Sequence, residues 1–330
     1  MRDAAARVRT GLSAKSSPEA GASVDPRIHV GAVELRRLES KAKALRFLPR
    51  QPARSVLNGR HASRLRGRGL NFEELRGYLP GDDTRAIDWK VTARTGEPHI
   101  RVYTEERDRP ALLVVDQRMS MFFGSRLNMK SVTAAETAAL AAFRILDQGD
   151  RIGGMVFGDR MIAEFKPQRS RRVVDALIKA IGTANQALSA DAPVSDPMPL
   201  NRVLEATARV AKRDHLVIVI SDFDGIDARS KTLIGGLARH NDIVLGLVTD
   251  PSAHTLPESK HLVVSDGMLQ AEIQLDSGSV RRALAKMSEG RLADILEWER
   301  SLGVPVLPLS AGEPTLPQVT KLMGLPGKRR

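Results

Sequence analysis

The sequence predicts an α/β protein with a mainly parallel sheet, helices on both faces of that sheet, and a smaller β-rich module in front of it. Two apolar runs, 111–115 and 216–220, have the length and composition of strands that are buried on both faces. Segments with apolar residues at three- and four-residue spacing alternate with such runs, as expected when helices connect parallel strands. An acidic residue follows the first run directly and the second run after one serine, at the edge where open α/β sheets place their sites.

Composition limits the class of protein. The 330 residues are 42% hydrophobic but only 4% aromatic, so we expect a substantial aliphatic core. The lack of cysteine excludes disulfides, thiolate metal sites and thiol nucleophiles. The formal charge of +12 is uneven, because residues 1–110 hold 23 Lys and Arg against 14 Asp and Glu. Such a basic front half suits nucleic acid, an anionic membrane surface or an acidic protein, or is only a solvated surface.

Two regions precede the predicted sheet. Residues 1–29 are rich in Ala, Ser, Gly and Arg, which is typical of a disordered basic tail. Residues 30–109 are expected to combine a helix with a β-rich module. No apolar run approaches the length of about 18 residues that a membrane span needs. The expected elements of this front part are a helix over 30–48, a turn at 80–83 and a strand over 99–104.

Residues 110–312 are predicted to form the sheet domain, followed by a C-terminal tail at 313–330. Hairpins are expected at 151–165 and 261–275, and a long polar loop over 183–199. The remaining strands are expected at 111–115, 216–220, 243–249 and 304–309. Helices are expected at 130–146, 171–181, 200–212, 233–240, 280–302 and 317–323.

The motifs of several enzyme classes are missing from the sequence. It contains no G-x-x-x-x-G-K-[ST] phosphate loop, no G-x-G-x-x-G after a strand, no H-E-x-x-H zinc pair and no G-x-S-x-G nucleophile elbow. Ser120 and Ser221 follow strands, but neither has a base close to it in the sequence. A metal-dependent hydrolase is therefore only a third hypothesis.

Acids after strands are the main pattern. Asp116 follows the first apolar strand, Asp222 and Asp224 follow another, and Asp250 follows the next. Carboxylates gathered with hydroxyls such as that of Ser120 at one sheet edge suit a hard cation such as Mg²⁺. Acids and serines at strand ends also cap the helices that follow them, and this alternative stays open.

A long match to a known family lies at residues 67–95, which read GRGLNFEELRGYLPGDDTRAIDWKVTART. This stretch resembles the signature of domain-of-unknown-function family 58, GRGLEFDELREYQPGDDPRRIDWKATART, which precedes an apolar strand and a D-x-S-x-S motif. The rest of the chain is similar to a von Willebrand factor type A domain in its order of strands and helices. The resemblance implies a cytoplasmic, non-enzymatic adaptor or assembly factor that works with a MoxR-type AAA+ ATPase, with other von Willebrand factor A-domain proteins as further partners.

The metal motif implied by this resemblance is altered. The segment DQRMS at 116–120 has Arg118 in place of the first serine, and Met198 stands where a type A domain supplies a threonine hydroxyl. We therefore expect no cofactor and predict that Arg118 takes the place of Mg²⁺ by pairing with Asp116, Asp222 or Asp224. An arginine that points to solvent in a degenerate loop is the alternative. A metal, if any, would be held by Asp116, Ser120 and Asp222. The candidate partner-binding or degenerate metal site comprises Asp116, Arg118, Ser120, Asp222 and Asp224.

The family signature defines a second set of candidate residues. Its acids are expected to pair with nearby arginines, and Ile87, Trp89 and Tyr78 are expected to form a small apolar core. Exposed ion pairs contribute little free energy, so these pairs are interpreted as holding the module together rather than contacting a partner. The signature residues are Gly81, Asp82, Asp83, Asp88, Trp89 and Arg94.

Two functions of different kinds follow from the sequence. The leading hypothesis is an adaptor that binds its ATPase partner through the carboxyl edge of the sheet. The alternative is a basic nucleic-acid or anionic-surface binding protein, based on the positive front half. The lack of aromatic residues among Arg64, Arg66 and Arg68 argues against a platform for stacking bases.

Overall fold

We describe a computed structural model of the chain. It describes residues 25–43, 45, 70–79, 82, 84–105, 110–191, 197–253, 261–265, 270–274 and 278–324.

The N-terminal helical segment is broken into two short helices, α1 (Ala32–Arg36) and α2 (Glu39–Ala42). The predicted continuous helix over 30–48 is therefore wrong within the described residues. Between the two helices, the amides of Arg37 and Leu38 bond to carbonyls three residues back, which tightens the turn and interrupts the α-helix. This break lets Leu35 and Ala42 both reach the main core.

The predicted boundary of the tail also differs from the structure. Residues 25–29 form a turn, in which the amides of Ile28 and His29 donate to the carbonyl of Asp25. The amide of Met129 donates to the Arg27 carbonyl at 2.8 Å, so the turn is bonded to the sheet domain. Residues 1–24 lie outside the described part of the chain.

The signature module contains an antiparallel pair of strands, β1 (Leu70–Gly77) and β2 (His99–Glu105), with helix α3 (Trp89–Thr95) between them in sequence. The predicted strand over 99–104 is confirmed. Gly96 takes a φ of +78° after the last turn of α3, which suits a residue without Cβ.

The main sheet has six strands: β3 (Pro110–Asp116), β4 (Arg151–Phe157), β5 (Met161–Gln168), β6 (Leu216–Ser221), β7 (Asp242–Thr249) and β10 (Val306–Ser310). Their order is β10-β7-β6-β3-β4-β5, and only β5 runs antiparallel to its neighbour. The predicted mainly parallel sheet and the 151–165 hairpin are confirmed. A second hairpin, β8 (His261–Ser265) with β9 (Gln270–Gln274), is also found as predicted.

Six helices cover the two faces of this sheet. On one face lie α4 (Lys130–Asp147), α5 (Arg171–Gln186) and α9 (Thr315–Gly324); on the other lie α6 (Leu200–Val210), α7 (Ala228–Ala238) and α8 (Gly278–Leu302). Alternate residues of β3 serve the two cores, with Leu113 buried in the first and Leu112 and Val114 in the second. The expected aliphatic core is present on both sides of the sheet.

Two of these helices differ from their predicted bounds. Helix α5 continues to Gln186 instead of ending at 181, because Ala184 and Asn185 in its last turns are buried. Helix α7 begins five residues before the predicted start. Asp227 caps it by accepting a hydrogen bond from the Ser230 amide at 2.8 Å, and the Ser230 hydroxyl accepts one from the Asp227 amide at 3.0 Å.

The ends of the described chain pack on the sheet domain. Helices α1 and α2, which the sequence groups with the β-rich module, lie against α5 and α4. Gly182 of α5 permits a close approach, because a Cβ there would lie 2.7 Å from the backbone nitrogen of Ala32. Helix α9, placed by sequence in a C-terminal tail, buries Val319 in the core shared with α4. Among the residues that the structure describes, no helix has the length and apolar character needed to cross a membrane.

Candidate functional site

Asp116 and Asp222 meet at the carboxyl edge of the sheet because their strands are parallel neighbours. Asp116 ends β3, and Asp222 follows β6, which pairs with β3 up to the contact of Val115 with Ile220. Both acids are buried, Asp116 completely. The two acids therefore lie at the edge of the sheet where the sequence placed them.

Arg118 pairs with Asp116, one of its three predicted partners. Its Nη2 donates to Asp116 Oδ2 at 2.8 Å, and its Nε lies 3.1 Å from both carboxylate oxygens. The Arg118 amide also donates to Asp116 Oδ1, at 2.9 Å. Only 3% of the Arg118 side chain is exposed, so the solvent-facing alternative is wrong. The guanidinium neutralises a carboxylate that is cut off from water.

The far side of the same guanidinium is also occupied. Its Nη1 and Nη2 each donate to the backbone carbonyl of Asp224 at 3.2 Å, and Nη1 reaches the Met198 carbonyl at 3.4 Å. Its plane lies 5.7 Å from the centre of the Phe157 ring. Arg118 therefore joins three loops at this edge of the sheet: those after β3, before α6 and after β6.

Asp222 has a cation of its own, Lys130, which the sequence pattern did not indicate. Lys130 Nζ donates to Asp222 Oδ2 at 2.7 Å from the first position of α4. The Ser120 hydroxyl donates to Asp222 Oδ1 at 3.4 Å, and the Asp224 amide donates to the same oxygen at 3.0 Å. Arg118 Nη2 lies 3.8 Å from that oxygen. Lys130 and Asp222 are far apart in sequence, so no local pattern indicated this pair.

Ser221 connects Asp116 to the loop after β6. Its hydroxyl donates to Asp116 Oδ2 at 2.6 Å and accepts from the Phe223 amide at 2.8 Å. Phe223 itself takes a φ of +55°, an uncommon conformation for an aromatic residue, and its side chain is fully buried. This burial holds the loop after β6 in the shape that presents the Asp224 carbonyl to Arg118.

A third ion pair forms the outer rim. Arg291 of α8 donates from Nη2 to the carboxylate of Asp224, and from Nη1 to the backbone carbonyl of Asp222 at 3.4 Å. Asp224 is 42% exposed and Arg291 is 23% exposed, so this pair faces solvent. The rim also ties the long helix α8 to the site.

Opposing influences set the pKa values of the two buried acids. Burial raises the pKa of Asp116, and the Arg118 guanidinium counteracts part of that rise. Burial also acts to raise the pKa of Asp222, but the Lys130 ammonium and its hydrogen bond outweigh it and hold that pKa below the ordinary value. The charge of each acid therefore depends on the cation beside it.

A buried amide network lies behind the site. Gln117 donates from Nε2 to the Ser131 carbonyl at 3.0 Å, and its Oε1 accepts from Asn185 Nδ2 at 3.0 Å. Asn185 Oδ1 in turn accepts from the Val30 amide at 2.7 Å. This chain of hydrogen bonds connects the site loop to the end of α5 and to the N-terminal segment.

Asp250 is engaged elsewhere at the same edge. It accepts from the amide and hydroxyl of Ser125, at 2.8 and 2.6 Å, and from the amide and hydroxyl of Ser252, at 2.9 and 2.5 Å. It shapes two loops, which agrees with the capping interpretation for this one acid.

In the signature module, the acids take structural positions. Asp82 forms a two-point pair with Arg76, at 2.8 and 2.9 Å. Asp88 caps α3 by accepting from the Lys90 amide at 3.0 Å. Trp89 is 69% exposed in the first turn of α3, so the predicted small core around it is wrong. The backbone of Ile87 forms an isolated antiparallel β-bridge with Ile100. Arg94 is exposed in the last turn of α3. Gly81 and Asp83 lie outside the described residues.

The donor set at the sheet edge does not fit a divalent cation. Asp116 already accepts from Arg118 and Ser221, and Asp222 accepts from Lys130, Ser120 and a backbone amide. Over the part of the chain that the structure describes, no group of three or more His, Cys, Asp or Glu side chains is arranged to hold a metal. Mg²⁺ would have to displace the Arg118 guanidinium and the Lys130 ammonium to reach these oxygens.

Comparison of the chain with known proteins identifies its family. A family model described as protein of unknown function DUF58 matches residues 74–291, well over half of the chain. The chain belongs to this family. Its relatives include the uncharacterized proteins Mb1516 of Mycobacterium bovis and Rv1480 of Mycobacterium tuberculosis, each 28% identical over 296 residues that cover 89% of this chain and 91% of the relative. The DUF58 match confirms the resemblance seen in the sequence.

Two solved structures resemble parts of this DUF58 protein. The conserved hypothetical protein BatB from Bacteroides thetaiotaomicron gives a TM-score of 0.40 at 11% identity, covering 64% of this chain and 95% of that one. An aerotolerance-related membrane protein from Bacteroides fragilis gives 0.38 at 10% identity, with the same coverage.

Proposed function

We propose that this protein is a non-enzymatic adaptor or assembly factor of the cytoplasm that binds a MoxR-type AAA+ ATPase. In this proposal its sheet domain is a von Willebrand factor A-like domain in which ion pairs have replaced the metal. The observation that carries the proposal is the pairing of Arg118 with Asp116 and of Lys130 with Asp222 at the carboxyl edge of the sheet.

These two pairs favour a binding function over a catalytic one. A catalytic carboxylate needs an oxygen free to reach a substrate, a water or a metal. The oxygens of Asp116 and Asp222 are instead buried and accept hydrogen bonds from the surrounding side chains and backbone. The pairs fix the shape of the loops at the edge, and a rigid edge is suited to docking another protein.

The rim formed by Asp224 and Arg291 is the part of this edge that a partner can reach. Both side chains are partly exposed. The Asp224 backbone amide donates to the Asp222 carboxylate, and the Arg291 side chain donates to the Asp222 carbonyl, so both residues are anchored to the buried site. A partner that meets this rim therefore meets charges in a fixed position, which favours specific recognition. We expect the ATPase to bind here without a divalent cation in the contact.

Affinity capture from a lysate of the source organism tests this function. The full chain, captured in buffer with EDTA, should recover an AAA+ ATPase identified by mass spectrometry. Arg291→Glu should reduce the recovery at least about tenfold, since it replaces the positive member of the rim pair with a second negative charge. Arg300→Glu makes the same change at an exposed position of the same helix and should leave recovery unchanged.

Two results would count against the proposal. One is capture that recovers no AAA+ ATPase with the wild-type chain. The other is capture that requires Mg²⁺ and is abolished by EDTA, because the contact would then involve a metal at the edge. To separate a metal in the contact from a metal that the ATPase itself needs, the ATPase is purified from a capture made with Mg²⁺ and assembled with Mg²⁺·ATP. Its binding to the chain is then measured with and without EDTA.

A further inference from the structure

A groove of about 330 Å³ lies on the helical face that carries α4. Helices α2 and α9 both pack on α4, and the groove runs between them. Its apolar wall includes Leu38, Leu140 and Leu316. The volume is at the small end of the range of about 300–1,000 Å³ that is typical of small-molecule sites.

Two polar groups, Glu136 and Thr315, lie beside each other in this groove. Glu136 of α4 is partly buried, and burial raises its pKa against the weaker opposing effects of Thr315 and Lys41. Among the described residues, it has no ion-pair partner within 4.0 Å. The Thr315 hydroxyl is near enough to favour the carboxylate, but it is buried and forms no hydrogen bond of normal geometry with any described residue. Buried groups of this kind are usually paired.

The groove also carries a positive charge. Lys41 of α2 is exposed and lines the groove together with Glu136. Helix α9 begins at Thr315, so the positive end of its backbone dipole lies at the same place. The walls therefore combine one negative group, one positive region and an aliphatic surface within a small volume.

We propose that this groove binds a free α-amino acid with an aliphatic side chain. The ammonium group of the ligand would donate to Glu136. Its carboxylate would pair with Lys41, and its side chain would pack on the leucines. The terminus of a peptide carries either an ammonium or a carboxylate beside its apolar side chain. A free amino acid carries both and can therefore pair with Glu136 and Lys41 at the same time. The site is separate from the sheet edge and does not depend on the function proposed above.

Methyl NMR of the full chain, with its leucines labelled, tests this site with four unlabelled probes. L-Leucine should shift the methyl signals of Leu38, Leu140 and Leu316 and should saturate. N-acetyl-L-leucine lacks the ammonium, L-leucinamide lacks the carboxylate and glycine lacks the side chain. Each should bind at least about tenfold more weakly, because each leaves a group of the groove without its partner.

Matched variants locate the contacts. Glu136→Gln and Lys41→Met should each weaken leucine binding about tenfold, since each removes one charge–charge contact. Their controls, Glu164→Gln on the exposed side of β5 and Lys43→Met beside α2, should bind leucine as the wild type does. Lys41 is exposed, so its variant keeps the test valid even where Glu136→Gln fails to fold. No saturable shift with leucine, equal binding of the analogues, or unchanged binding in both groove variants would overturn the proposal.

Discussion

Removing the guanidinium at the sheet edge should be among the most damaging changes to this protein. Arg118→Met keeps a side chain of similar length but leaves Asp116 fully buried, with its nearest cation gone. Breaking a buried ion pair by removing one partner typically costs about 3–5 kcal/mol of unfolding free energy. Ser221 and the backbone amide of residue 118 still donate to Asp116, so we expect a value of about 3 kcal/mol, at the lower end of that range.

A double-mutant cycle separates the ion pair from simple packing loss. Asp116→Asn alone, Arg118→Met alone and the double variant are compared by urea denaturation at neutral pH. The two single changes should not add, and the double variant should be more stable than their sum predicts by about 1–3 kcal/mol. Arg171→Met is the surface control, because the pair of Arg171 with Glu39 is 47% and 32% exposed and should contribute about 0–1 kcal/mol.

Two results would contradict this prediction. A loss of less than about 1 kcal/mol for Arg118→Met would place its pair in the range of exposed surface pairs. Full additivity in the cycle would show that Arg118 and Asp116 act independently. Either result would mean that the guanidinium does not neutralise Asp116 in solution.

Three further predictions follow from the same geometry. The Lys130 ammonium lowers the pKa of Asp222 from its ordinary value of 3.8, so the ionised acid stabilises the fold above that pH, and this contribution is lost as pH falls below it. Lys130→Met should destabilise most near neutral pH, and in urea denaturation its difference from wild type should be smallest below about pH 4. Gly182→Ala should cost about 1–3 kcal/mol by thermal or urea unfolding, because its Cβ meets backbone, whereas Gly236→Ala on α7 has free space and should be neutral or slightly stabilising. Arg118→Ser alone should not create a tight Mg²⁺ site in calorimetry, since Lys130 still neutralises Asp222; tight binding by this variant would contradict the role assigned to Lys130.

Much of the sheet could be predicted because its strands are short apolar runs with acids after them. The fold class places Asp116 and Asp222 at the same edge of the sheet, and the pairing of β3 with β6, which the structure shows, brings the two acids together. The pairing of Arg118 with Asp116 could also be predicted, because the two residues are two positions apart and a buried carboxylate needs a cation.

The missed contacts depend on residues that are distant in sequence. Lys130 and Asp222 are 92 positions apart, and nothing in the local pattern of α4 distinguishes this lysine from a solvent-facing one. The extension of α5 depends on Asn185, whose amide is buried against Gln117 and the N-terminal segment. Propensity alone ended that helix too early, because tertiary hydrogen bonds stabilise its last turn.

Trp89 was expected to be buried but is exposed. A tryptophan in a turn-rich stretch suggested a small core, yet it stands at the first position of α3, directly after the capping Asp88. The cap bonds to β2 through the Asp88 amide and the His99 carbonyl at 2.8 Å, which fixes the direction of the helix and leaves the indole exposed. Hydrophobicity alone carried no information on that direction.

The most direct test of the central claim is a titration of the wild-type full chain with MgCl₂ by isothermal titration calorimetry. If Arg118 and Lys130 occupy the place of a cation, the titration should show no saturable binding tighter than about 1 mM. Asp116→Asn serves as the control for any heat that arises at other surfaces. Stoichiometric Mg²⁺ binding to the wild type that is tighter than about 1 mM and lost in Asp116→Asn would show that the sheet edge is a working metal site, and that Arg118 and Lys130 do not replace the cation.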